Sequence, residues 1–148
     1  MDLQKFYNYS YKKQAKSSPI APSESLVEFL DLIREKYLEE GSPPLKTLEI
    51  GAGTGGLIPY FLKHGFWLTC LDFSQTALDI AKEHHASKFI DFICADISSY
   101  RSEEEFEFVF DSHLIHCLTD GEHRLNAFKN IYFSLKPDGL FALSLIHI

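Results

Sequence analysis

The chain has 148 residues, 45% of them hydrophobic with 13 Phe and 7 Tyr, enough for one domain with a packed core and too apolar for a disordered chain. A formal net charge of -7, with no basic run beyond Lys12-Lys13, argues against a dedicated nucleic-acid binder. There is no apolar run near the ~20 residues of a membrane span, the start MDLQKFYNYSYKKQAK lacks a signal-peptide core, and three cysteines without a C-x-x-C pair fit a reducing, cytoplasmic setting.

Residues 1–22, rich in Tyr, Lys and Ser and ending in PIAP, read as an irregular lead-in to one domain spanning 23–148. A capping box, Ser25-Leu-Val-Glu28, opens a helix carrying Leu26, Phe29, Leu30, Ile33 and Tyr37 at helical spacing, and Gly41-Ser-Pro-Pro44 stops it. From Thr47 strands and helices alternate: TLEI, a glycine loop, a helix through LIPYFLKH closed by Gly65, then the strand WLTCLD. Ser74 caps a helix through TALDIAKEH; FIDFICAD and FEFVFD follow as third and fourth strands. A second capping box, Thr119-Asp-Gly-Glu122, opens a helix with Leu125, Phe128, Ile131, Tyr132 and Leu135 on one face, and KPDG turns into a fifth strand, LFALSLI. This alternation predicts an α/β fold, a Rossmann-like three-layer sandwich with parallel strands and ligands at their carboxyl ends.

The loop LEIGAGTGG admits two chemistries. Gly51, Gly53 and Gly56 satisfy the dinucleotide spacing G-x-G-x-x-G, whereas Glu49, Gly51, Gly53 and Gly55 read E-x-G-x-G-x-G. A strand-to-helix turn of glycines presents backbone N–H groups to phosphates and carboxylates alike. A carboxylate at Glu49 favours a cationic, phosphate-free ligand, because it repels a pyrophosphate by about 1 kcal/mol or more per charge pair at contact.

Over roughly Leu45 to Leu143 the sequence resembles the class I S-adenosylmethionine-dependent methyltransferases, through LEIGAGTGG, CLDFS, CADI, FEFVFDSHLIHCL and LKPDGLF in the family's order. The resemblance implies S-adenosyl-L-methionine as cofactor, with Glu49, Gly51, Ala52, Gly53 and Gly55 in the binding loop. It implies Asp72 on the ribose hydroxyls, Phe73 on the adenine, Asp96 on the adenine amino group with Ala95 and Ile97 alongside, and Asp111 at the end of the fourth strand. The methyl acceptor is expected to be a small molecule. An NAD(P)-dependent oxidoreductase and a non-catalytic nucleotide-binding module are the rival readings.

His113 and His116 follow the fourth strand on the acceptor side and read either as a general base or as helix-start residues without chemistry. The family usually has a small residue at the 113 position, so His113 is a departure. His113, His116, Cys117 and His123 match no zinc spacing, and no metal is expected. The resemblance also implies a seven-stranded sheet, which leads to the expectation of a fragment lacking the last two strands and self-associating through the apolar fifth. The closing LSLIHI reads either as ordinary strand or as translated sequencing-adapter read-through.

Overall fold

The structure, a computed structural model, describes residues 3–14, 19, 21–37 and 43–144. The expected helix stop at Gly41-Ser42 and the last four residues of LSLIHI lie outside them. Five parallel strands form one sheet in the order β3-β2-β1-β4-β5: β1 (Lys46–Ile50), β2 (Trp67–Asp72), β3 (Ile90–Cys94), β4 (Phe106–Asp111) and β5 (Leu135–Leu143). Order reverses at β1, so the crevice between β1 and β4 is the switch point where ligands bind in open parallel sheets.

Both faces are covered, as a parallel sheet requires. On one face Cys70, Phe108 and Phe110 pack under α2 (Glu24–Tyr37), α3 (Ile58–Lys63) and α4 (Gln75–His84), through Leu30, Phe61, Leu78 and Ala81. On the other face Leu48, Ile50, Leu71 and Val109 meet Ala127 and Ile131 of α5 (Gly121–Ser134). Alternation along β1 sends Leu48 and Ile50 to the α5 side and Glu49 to the opposite one.

Three local expectations are corrected. Residues 3–14, expected to be irregular, form the helix α1 (Leu3–Gln14). Its composition is polar, but Gln4, Tyr7, Asn8 and Tyr11 fall at i, i+3, i+4 and i+7 and so share one face, which is the side docked on the sheet's ligand end. The caps shift by one or two residues. Ser23, not Ser25, accepts from the Leu26 N–H, and Asp120, not Thr119, accepts from the Glu122 and His123 N–H groups. In each case the capping residue stands one step outside the helix, and Asp120 has the extended backbone that a cap needs, at φ -76, ψ 127. Ser74 caps α4 through Ala77 as expected. Finally, β5 already pairs at Leu135, and KPDG is an excursion within the strand, with Asp138 at φ 65 and an irregular register opposite Phe106–Phe108.

Candidate functional site

The carboxyl ends of β1 to β4 open into a cleft of about 510 Å³, within the roughly 300–1,000 Å³ typical of ligand pockets. Gly51 follows β1, Asp72 and Phe73 end β2, Cys94 to Ile97 end β3, and Ser112 to Leu114 follow β4. Gln4, Tyr7 and Tyr11 of α1 form the remaining wall with Cys117, Leu118 and His123.

Asp72 organises this end of the sheet. Its Oδ2 accepts from the Gly53 N–H at 2.9 Å and its Oδ1 from the Ser74 N–H at 2.8 Å, which fixes the glycine loop to the start of α4. Burial raises its pKa, and those two N–H groups offset part of the rise. Each oxygen retains a second lone pair for a ligand hydroxyl. Asp96 is exposed on the cleft, its Oδ1 taking the Ser98 N–H at 2.8 Å.

The loop approaches the cleft as backbone. Gly51 has φ 74, and a Cβ there would sit 2.7 Å from the Leu114 Cβ, so no other residue fits without moving the β4 loop. Gly53 lies under Tyr11, whose hydroxyl would be 3.3 Å from an added Cβ, and Gly55 is buried against α4 at Ala81. Burial and the nearby Asp72 push the Tyr11 hydroxyl up to about 12. Tyr7 packs edge-on against Phe73 at 5.4 Å. Gln4 donates to the Phe73 carbonyl at 2.7 Å, and the Ser74 hydroxyl donates to Asn8, so α1 is tied to the loop after β2 at two points.

Of the residues singled out from the sequence, Gly51, Asp72, Phe73, Ala95, Asp96, Ile97 and His113 line the cleft. Glu49, Ala52, Gly53, Gly55, Asp111 and His116 do not. Glu49 is 1% exposed, turned into the layer beneath α3 and α4, and its Oε1 makes no hydrogen bond. Burial raises its pKa to about 8, with Ser112 and Cys70 offsetting part of the rise and Asp72 adding to it. Near neutral pH it is therefore mainly protonated, and the negative charge facing a ligand comes from Asp72 and Asp96 instead. Asp111 is also fully buried; its Oδ1 accepts from the Leu114 and Ile115 N–H groups at 2.9 and 3.0 Å and holds the turn that follows β4.

The two histidines separate clearly. His116 is not among the residues lining the cleft, and has a buried Nδ1 and its Nε2 3.4 Å from the Cys117 thiol. His113 lines the cleft at φ 62, a left-handed conformation that costs a non-glycine residue of order 1–3 kcal/mol. No group of His, Cys, Asp and Glu among the described residues is arranged to hold a metal. The wall missed in the sequence is the one α1 supplies, and its signal was the helical spacing of Gln4, Tyr7 and Tyr11.

The sequence profile of the methyltransferase domain matches residues 48–143, about two-thirds of the chain. The chain belongs to that family. Malonyl-[acyl-carrier protein] O-methyltransferase of Bacillus cereus is 27% identical over 117 residues, 78% of this chain and 42% of that protein. Thiocyanate methyltransferase 1 of Brassica oleracea is 31% identical over 107 residues, 69% of this chain and 47% of that one. The chain thus spans less than half the length of these two relatives. Among solved structures, the N-methyltransferase NodS from Bradyrhizobium japonicum WM9, in complex with S-adenosyl-L-homocysteine, superposes with a TM-score of 0.73 at 20% identity, covering 93% of this chain and 71% of that one. That likeness establishes the shared fold. None of the described helices is long and apolar enough to cross a membrane.

Proposed function

We propose that the protein transfers a methyl group from S-adenosylmethionine to a small-molecule acceptor. The observation that carries this reading is the charge of the cleft: Asp72 and Asp96 face it, and among the described residues no lysine or arginine lines it. A dinucleotide brings a pyrophosphate, for which these walls offer no lysine or arginine. A cationic nucleoside without phosphate suits the same walls. The donor set fits it: free lone pairs on Asp72 for vicinal hydroxyls, Asp96 for an exocyclic amine, and the apolar edges of Phe73, Ala95 and Ile97 for a flat base. Gly51 lets the loop backbone reach the ligand where a Cβ would be blocked.

When bound, S-adenosylmethionine supplies an electrophilic methyl group on a sulfonium. This chain's part is to hold two reactants together and exclude water, which can account for several kcal/mol of barrier lowering. Asp72 fixes the glycine loop and the ligand at once, and Tyr7 and Tyr11 line the wall that α1 supplies. The acceptors named for the two relatives, thiocyanate and a malonyl group on its carrier protein, present small reacting groups and support a small acceptor here. The three free cysteines support a reducing compartment, and the cytoplasm is the proposed location.

Calorimetric titration with S-adenosylhomocysteine tests the assignment. Asp72→Ala removes charge-assisted hydrogen bonds worth ~1.5–3 kcal/mol each, so affinity falls at least tenfold. Asp72→Asn keeps an oxygen for one backbone donor and separates lost affinity from lost fold. Unchanged affinity in both variants removes Asp72 from the binding site.

A further inference from the structure

From the contact between His113 and Ser144 we infer that His113 is the general base for an acceptor hydroxyl, and that Ser144 is the positioning residue that sets its tautomer. The inference rests on the methyl-transfer reading above. The Ser144 Oγ, just past the end of β5, lies 2.9 Å from the His113 Nδ1. No hydrogen bond reaches the His113 Nε2 among the described residues, and His113 lines the cleft that Asp72 and Asp96 also line. Its positive φ is held against a steric cost. The surroundings hold it: the His113 carbonyl accepts from the Cys117 thiol at 3.5 Å, and the ring packs edge-on against His116 at 6.1 Å.

A hydroxyl oxygen takes part in either tautomer, and the two have opposite consequences. If the Nδ1–H donates to Ser144, Nε2 carries a free lone pair and can take a proton. If Ser144 donates instead, Nε2 bears the hydrogen and cannot act as a base. The base role requires the first arrangement.

The step then balances as follows. The acceptor oxygen forms a bond to the methyl carbon while the carbon–sulfur bond breaks, its electron pair going to sulfur. The hydroxyl proton passes to His113 Nε2 and from there to water. A base of this kind is useful to a neutral hydroxyl. It is redundant for an anion, which has no proton to lose. A hydroxyl, less acidic than a thiol, gains more from such a base, which makes a hydroxyl compound the assigned acceptor class. Asp111, His116 and Cys117 lie on the loop and turn around His113, and Tyr7 and Tyr11 of α1, Asp72, Cys94, Asp96 and His123 are the other titratable groups lining the cleft with it.

Nitrogen-15 NMR of the histidine rings tests this in the protein without an acceptor. His113 is expected to show the Nδ1–H tautomer in the parent protein and in Ser144→Thr, and to shift toward Nε2–H in Ser144→Ala. The parent spectrum alone can overturn the proposal: an Nε2–H tautomer there rules out the base. In turnover with a phenol, Ser144→Ala should lower kcat about tenfold with KM nearly unchanged and Ser144→Thr should restore it, whereas His113→Gln should lose at least a hundredfold and its acid-side pH dependence, in line with the roughly 10²–10⁴-fold contribution of general bases. Equal kcat and equal pH profiles in parent and His113→Gln contradict it. Titration with S-adenosylhomocysteine separates the two readings, because intact binding with the wrong tautomer sinks only this one, and absent binding sinks the methyl-transfer reading itself.

Discussion

Buried at 1% exposure with no hydrogen bond to Oε1, the Glu49 carboxyl favours its protonated form, with a pKa raised from 4.5 to about 8. Between those values the folded state holds a proton that the unfolded state has lost. Stability from this group is therefore fully present below about pH 4.5 and declines as pH rises through 8, by on the order of 5 kcal/mol in all. Glu49→Gln keeps the shape and removes the titration, so its unfolding free energy should fall less than that of the parent between about pH 5 and 8. Urea unfolding of both proteins across that range checks it; parallel curves contradict it. Burial also raises the Asp72 and Asp111 pKa values, but both acids remain in each protein and cancel in the comparison. At this scale the sequence was only partly legible. The motif spacing locates Glu49 beside the loop, but its strand alternation, which turns it under α3 and α4, decides its charge.

Among the elements, α1 and α4 share one serine. The Ser74 Oγ accepts from the Ala77 N–H to cap α4 and donates to Asn8 of α1, and the residue is fully buried. Ser74→Ala loses the cap and the bond to half-buried Asn8, for a predicted cost of about 1–2 kcal/mol. Urea midpoints measure the loss, and limited proteolysis of α1 in the same variant should become faster; a variant matching the parent in both would show that the serine holds neither helix. The Ser74 cap was readable because serine precedes an apolar helical run. α1 was not, because its docked face is built from Gln4, Tyr7, Asn8 and Tyr11, residues whose polar ends hide the periodicity that Leu or Ile would reveal.

For the molecule as a whole, strand–helix alternation from Thr47 onward was the legible part, since buried parallel strands and amphipathic covering helices leave strong, distinct patterns. The ligand end was legible in outline, because Gly51, Asp72 and Asp96 each mark the end of a strand of one sheet. What the sequence left open was the choice between a pyrophosphate and a cation, which depends on side chains brought together from five separate segments. The cleft answers with two carboxylates and no lysine or arginine among its described walls. Direct titration of the protein with S-adenosylhomocysteine and, separately, with NADH tests that answer. The account predicts saturable binding of S-adenosylhomocysteine that NADH does not displace; saturable binding of NADH, with none of S-adenosylhomocysteine, would contradict it.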